Sequence, residues 1–123
     1  MKPTIKELDK LWTDAVKARA GEKSEWSGKE RDEATKLAGH HTGGRSCYAL
    51  RWDLSNGVCI TCGEHKFIAH HSGRAKKFRD WALKLRGINE DYLAIKGGYI
   101  GKTDLWAVKE YLKWELKRWK GQK

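Results

Sequence analysis

No apolar run in this 123-residue chain approaches the ~18 residues of a membrane-spanning helix, and no signal peptide precedes the first charged helix. A cytoplasmic protein without a membrane partner is therefore expected. Cysteines are few: Cys47, Cys59 and Cys62 are an odd number without export signals, so reduced thiols are expected rather than a disulfide framework. Internal repeats and low-complexity tracts are missing. Acidic residues are scarce too, 16 Asp and Glu against 26 Lys and Arg, which leaves a formal charge of +10. Such an excess concentrates polyanions and speeds their capture, so nucleic acid is the leading expected partner. Histidine is absent outside residues 37 to 71, and all five histidines of the chain fall inside that window.

What is present suits one compact domain over residues 1–123, with 39% hydrophobic residues, seven Trp and a heavily solvated, 34% charged composition. Thr4 followed by Glu7 reads as a capping box. Ile5, Leu8, Leu11, Trp12, Ala15 and Val16 then recur at helical spacing, which predicts an N-terminal helix over 4–20 with a stop at Gly21. Residues 21 to 36 read as a polar surface loop with a turn at Ser24–Ser27. From Leu37 to Ile60, two short extended runs are separated by Gly43–Ser46 and broken again near Asp53–Gly57, predicting a β-hairpin with a long loop. A short helix over 63–69 follows. The next, from about Ala75 to Leu85, places Phe78, Trp81, Ala82 and Leu85 on one face. Tyr92, Leu93 and Ile95 form a small apolar patch. Thr103 is then the expected N-cap of a basic C-terminal helix over 103–119. Its buried stripe is Leu105, Val108, Leu112, Leu116 and Trp119, and Lys109, Lys113, Lys117 and Lys120 run down another side that faces solvent or phosphate.

The histidine window carries the chemistry. Phosphodiester hydrolysis needs an activated water, a counter-charge for the phosphate and help for the departing oxygen, and a divalent ion supplies the last two. Imidazole is a suitable ligand for such ions. His40 is the candidate ligand on the first strand. Its neighbour His41 points to the other side and is free to act as general base, since strand side chains alternate. Asn56, fifteen positions after His41, would hold the His41 loop by hydrogen bonds. His65 is the second candidate ligand. Its helical partner four residues on would be Ala69, so His70, five on, joins only if the helix ends or distorts first, and His71 is the fallback. Arg45 and Arg51 are candidates for phosphate contact or for structural ion pairs.

HisHisThrGlyGlyArg at 40–45, ArgTrpAspLeuSerAsnGly at 51–57 and GlyGluHisLysPheIleAlaHis at 63–70 together resemble the HNH endonuclease family, and most of all its small phage-encoded members. The order of histidine pair, asparagine and helix histidine is also similar to that of the nuclease colicins, and the likeness extends weakly from about Leu11 to Leu116. This resemblance implies an α+β fold, a ββα-metal motif over 37–71 surrounded by further helices. It implies His40 and His65 as metal ligands with His70 as the third, His41 as the base that activates water, and Asn56 as the motif asparagine. The cofactor implied is one divalent ion, Mg²⁺ or Mn²⁺ or alternatively Zn²⁺ or Ni²⁺. The reaction implied is nicking or cutting of DNA to leave 5′-phosphate and 3′-hydroxyl ends, with Arg45, Arg51, Lys109, Lys113 and Lys117 toward the DNA. A phage protein of this kind would work in the host cytoplasm, beside a terminase or with recombination proteins.

One departure stands out. Many members hold a structural zinc in two CysXXCys pairs, and the aligned positions here are Ser24, Ser27, Thr61 and Glu64. Hydroxyls are not thiolates at neutral pH, so no structural zinc is expected there, and Trp26 and its neighbours must replace the cross-link. Cys59 and Cys62, two positions ahead of the aligned sites, read as plain thiols. Loss of the zinc residues keeps two other readings open: a non-catalytic DNA-binding module, and an adaptor that docks on a packaging or recombination enzyme through exposed tryptophans.

Overall fold

Thr4 opens the first helix, α1 (Ile5–Arg19), by accepting the Glu7 N–H on its hydroxyl at 3.1 Å. The Glu7 carboxylate pairs with Lys109 at 2.7 Å, and this bond, helped by one from the Thr4 backbone, holds its pKa below the ordinary value. Gly21, at φ 71, takes the left-handed turn that ends the helix. The computed structural model describes residues 2–70 and 73–121, so the fallback ligand His71 lies outside the described residues.

Two strands follow, β1 (Leu37–His41) and β2 (Gly57–Thr61), paired antiparallel with His40 opposite Val58 and His41 opposite Gly57. All five residues of β2 are buried, because both of its faces are covered. On one side Leu37 and Cys59 join Leu8, Trp12 and Val16 of α1. On the other, Val58 and Ile60 join Ala69, Phe78 and Ala82. Trp12 lies so close over the hairpin that a Cβ at Gly39 or Gly57 would fall 2.8 or 2.5 Å from its ring; only glycine fits at either place.

Between the strands the structure departs from the expected extended run. Tyr48–Arg51 is a helical turn, α2, and Leu54–Asn56 a 3₁₀ turn. Leu50, Trp52 and Leu54 alternate like a strand, but each is buried by these turns instead. Local bonds decide the matter: Arg51 N–H reaches the Cys47 carbonyl at 2.8 Å, and the Asp53 carboxylate caps Ser55 N–H at 2.9 Å.

After β2, α3 (Cys62–Glu64) starts on a complete capping box between Thr61 and Glu64 and runs into a π-helical turn, His65–Ala69. Helix α4 (Ala75–Arg86) buries Phe78, Ala82 and Leu83, while Leu85, expected on that face, is exposed. The apolar patch near residue 93 proves to be a helix, α5 (Glu90–Gly97), capped by the Asn89 side chain. The last helix, α6 (Leu105–Lys120), packs along α1. Its cap is Asp104 rather than Thr103: the carboxylate accepts the N–H groups of Trp106 and Ala107 and suits the positive end of the helix better than a hydroxyl. The architecture is thus α+β, six helices around a two-stranded hairpin among the described residues. No described helix is long and apolar enough to cross a membrane.

Candidate metal centre

The hairpin presents its two adjacent histidines to opposite sides. His40 faces the π turn and Phe78, whose ring centroid is 5.2 Å away. There it meets two more imidazoles, with the His65 and His70 centroids each 5.2 Å from its own. Nε2 of His65 and Nε2 of His70 stand 3.0 Å apart. One ligand nitrogen from each of the three rings lies within 4.8 Å of the others, so His40, His65 and His70 could hold a metal ion. Two nitrogens at the usual ~2.0–2.1 Å from one cation sit about 3 Å from each other, which is the spacing of the His65–His70 pair.

His70 belongs to this group because of the π turn. In a regular helix, five residues carry a side chain about 140° off its starting face. The wider π turn brings residue i+5 back over residue i, and such turns favour functional sites. His40 is buried, and that burial together with the charge of its two imidazole neighbours lowers its pKa from 6.5 to about 3. Burial lowers His65 as well, with His70 adding to it. Both rings are therefore neutral at physiological pH and present free lone pairs.

His41 lies on the α1 side, its ring stacked on Trp12 at 3.9 Å and 6° from parallel. Its Nε2 is 2.9 Å from the Arg51 carbonyl; a carbonyl only accepts, so Nε2 donates and Nδ1 keeps the lone pair. Burial lowers its pKa, and the Arg45 charge reinforces this against the carbonyl bond. Arg51 is fixed in turn by a two-pronged bond to Asp9, at 2.8 and 2.7 Å, and Asp9 also accepts Trp52 Nε1–H at 2.9 Å.

Asn56 is fully buried behind the same loop. Its Oδ1 accepts Gly43 N–H at 2.6 Å, its Nδ2 donates to the Gly44 and Leu50 carbonyls at 2.9 and 3.1 Å, and its own carbonyl takes Thr42 N–H at 2.9 Å. The loop after His41 is thereby held at four points.

A cleft of about 390 Å³ brings together His40, His41, His65 and His70 with Arg45, Asp9 and Thr13 at its walls. Arg45 is exposed at the rim, whereas Arg51 is tied to Asp9. The α6 lysines are not in the cleft: Lys109 pairs with Glu7, and Lys113 and Lys117 are exposed on the outer face of that helix. A larger hollow of about 910 Å³, by Cys47, Tyr48 and Tyr99, gathers no histidine or carboxylate. Cys59 is buried, which pushes its thiol up to about 12, and Cys62 is exposed.

No family model matches the chain. Nor does any curated protein or solved structure.

The four positions read as a vanished zinc site nevertheless meet. Ser24 Oγ donates to Glu64 Oε1 at 2.5 Å and accepts Trp26 and Ser27 N–H at 3.1 Å each; Thr61 N–H donates to Glu64 Oε1 at 3.0 Å. Burial alone would raise the Glu64 pKa, but hydrogen bonds from Ser24, Ser27 and Thr61 outweigh it and keep the carboxyl below its ordinary value. Trp26 packs on Phe78 and Trp81, as the sequence suggested, and the hydrogen-bonded cluster adds to it. Sequence reading missed Asp9 and the pairing of Ser24 with Glu64. Asp9 had one visible signal, a carboxylate next to Leu8 of the apolar stripe of α1, while Ser24 and Glu64 are separated by 40 residues and gave none.

Proposed function

We propose that this protein is a divalent-metal-dependent DNA endonuclease. The observation that carries the reading is one cleft in which three imidazoles converge while a fourth, His41, keeps an unligated nitrogen. Nδ1 of His41 takes a proton from the attacking water. The imidazolium so formed shares its charge with the Arg51 carbonyl and is kept in plane by Trp12, which limits the motion that would otherwise slow proton transfer. Arg45 at the rim pairs with a phosphate oxygen of the strand being cut. Asn56 touches none of the reacting atoms and acts by shaping the loop between His41 and Arg45. A divalent ion on His40, His65 and His70 would supply Lewis acidity for the phosphate and the departing 3′ oxygen, and three imidazoles without a carboxylate suit Zn²⁺ or Ni²⁺ better than Mg²⁺.

Incubation with supercoiled plasmid and Mg²⁺, Mn²⁺, Zn²⁺ or Ni²⁺ is expected to give nicked or linear product with at least one of these ions. His41→Ala is expected to slow cleavage by about 10²–10⁴-fold, the usual weight of a general base, while leaving metal binding intact. Cleavage that survives both EDTA and His41→Ala would refute the proposal.

A further inference from the structure

Helix α6 turns Leu112 to the core, with Leu105, Val108 and Leu116 packed beside it against α1. Its opposite face is unusual for a solvated helix. Trp106 is 49% exposed and Trp114 59%, and neither belongs to a buried cluster. Each ring has a cation against it, Lys109 Nζ 5.7 Å from the Trp106 centroid and Arg118 Cζ 5.7 Å from that of Trp114. Lys113, Lys117 and Lys120 are exposed around them and outnumber Glu110, the exposed carboxylate between the two rings. Indole rings of this size contribute to stability only when covered, so leaving two of them in water points to a ligand.

The charges choose its class. A chain at +10, with lysines interleaved between aromatic rings, complements a polyanion that also offers flat apolar faces. A paired duplex hides its base faces in its own stack and would meet the lysines only. Unpaired bases expose those faces, and aromatic platforms flanked by cations are how proteins take them up. Eight residues separate the two rings, a rise of about 12 Å along the helix with about 80° of turn, so both open to the same outer side.

We infer that the outer face of α6 binds single-stranded DNA, with Trp106 and Trp114 stacking on bases and Lys113 and Lys117 holding the backbone. This contact lies outside the histidine cleft and retains a strand independently of cutting. It deepens the nuclease reading and rests on it only for the choice of DNA; its test involves no cleavage.

The experiment measures fluorescence anisotropy of labelled oligo(dT), without added metal at about 0.1 M salt, for the full chain and for W106A, W114A, W114F and K113A/K117A. Each Trp→Ala change is expected to weaken oligo(dT) binding by about 5- to 150-fold, with W114F close to the parent. A duplex of equal length is expected to lose affinity with K113A/K117A but to ignore the Trp changes. Circular dichroism confirms that the exposed substitutions leave the fold intact. Oligo(dT) binding that is indifferent to both tryptophans overturns the inference. So does equal, Trp-dependent binding of polyglutamate or of phosphatidylglycerol vesicles, which would assign the face to an acidic protein or a lipid surface. Should plasmid cleavage fail while Trp-dependent strand binding persists, the nuclease reading falls and this one stands; the reverse outcome separates them the other way.

Discussion

The hairpin is fastened at both ends by buried polar side chains, and the two fastenings differ in kind. At the His41 end, Asn56 directs every side-chain bond to the backbone of one loop, to Gly43, Gly44 and Leu50. At the other end, Glu64 reaches 40 residues back to Ser24 and ties two distant segments beneath the turn that carries His65. Asn56 is neutral and shapes; Glu64 is ionised, has hydroxyl and amide partners in place of a cation, and staples. The lesson is that His41 and the His40, His65 and His70 cluster, though they share a cleft, are held by devices of opposite electrostatic character, and should fail under different insults.

Acid is the sharpest way to divide them. His40 titrates near 3 in the fold against 6.5 when free, so the unfolded chain binds the extra proton between those values. Its contribution is present in full above pH 6.5 and is lost as pH falls toward 3, on the order of 5 kcal/mol in all. The lowered pKa of Glu64 acts in the same direction, since its stabilisation disappears as its carboxylate protonates. Urea unfolding between pH 7 and pH 3.5 is expected to show this slope, and His40→Phe is expected to flatten it. An unchanged slope would mean that the imidazole cluster is not buried as described.

Asn56→Ala breaks the other fastening at any pH. It leaves Gly43 N–H and the Gly44 and Leu50 carbonyls without their partner, at a cost of at least about 3 kcal/mol by denaturant unfolding at pH 7. Glu64→Ala is milder, about 2 kcal/mol, and Glu64→Gln milder again, because the amide oxygen still accepts from Ser24 and Thr61. The comparison predicts that Glu64→Ala weakens Ni²⁺ or Zn²⁺ binding, read by calorimetry, while leaving the His41 pKa, read by NMR, where it was. Were Asn56→Ala to disturb metal binding more than Glu64→Ala does, the division of labour would be wrong.

Much of the scaffold could be read from residues alone. Helices α1 and α6 declared themselves through apolar spacing, α1 also through its Thr4 cap, and α4 through Phe78 and Ala82. The gathering of His40, His65 and His70 was anticipated with a stated condition, and the π turn is the distortion that condition required. What escaped was set by tertiary partners. Leu50, Trp52 and Leu54 look like a strand because alternation cannot tell a strand from consecutive turns that each tuck one residue inward. Helix α5 escaped because only Leu93 of its eight residues is buried, which leaves almost no periodic signal. The Ser24–Glu64 staple was invisible because no local pattern announces a bond between residues so far apart.

The π turn has a consequence for how this segment tolerates change in length. Winding one additional residue between His65 and His70 swings all that lies beyond it by about 100° while leaving the two rings in edge-to-face contact, their centroids 4.6 Å apart. A deletion there that restores ordinary pitch would keep a histidine pair at four-residue spacing, yet would re-aim α4 and pull Phe78 from behind His40. Inherited gaps in this stretch would therefore be felt first as a displaced backstop, not as a missing histidine.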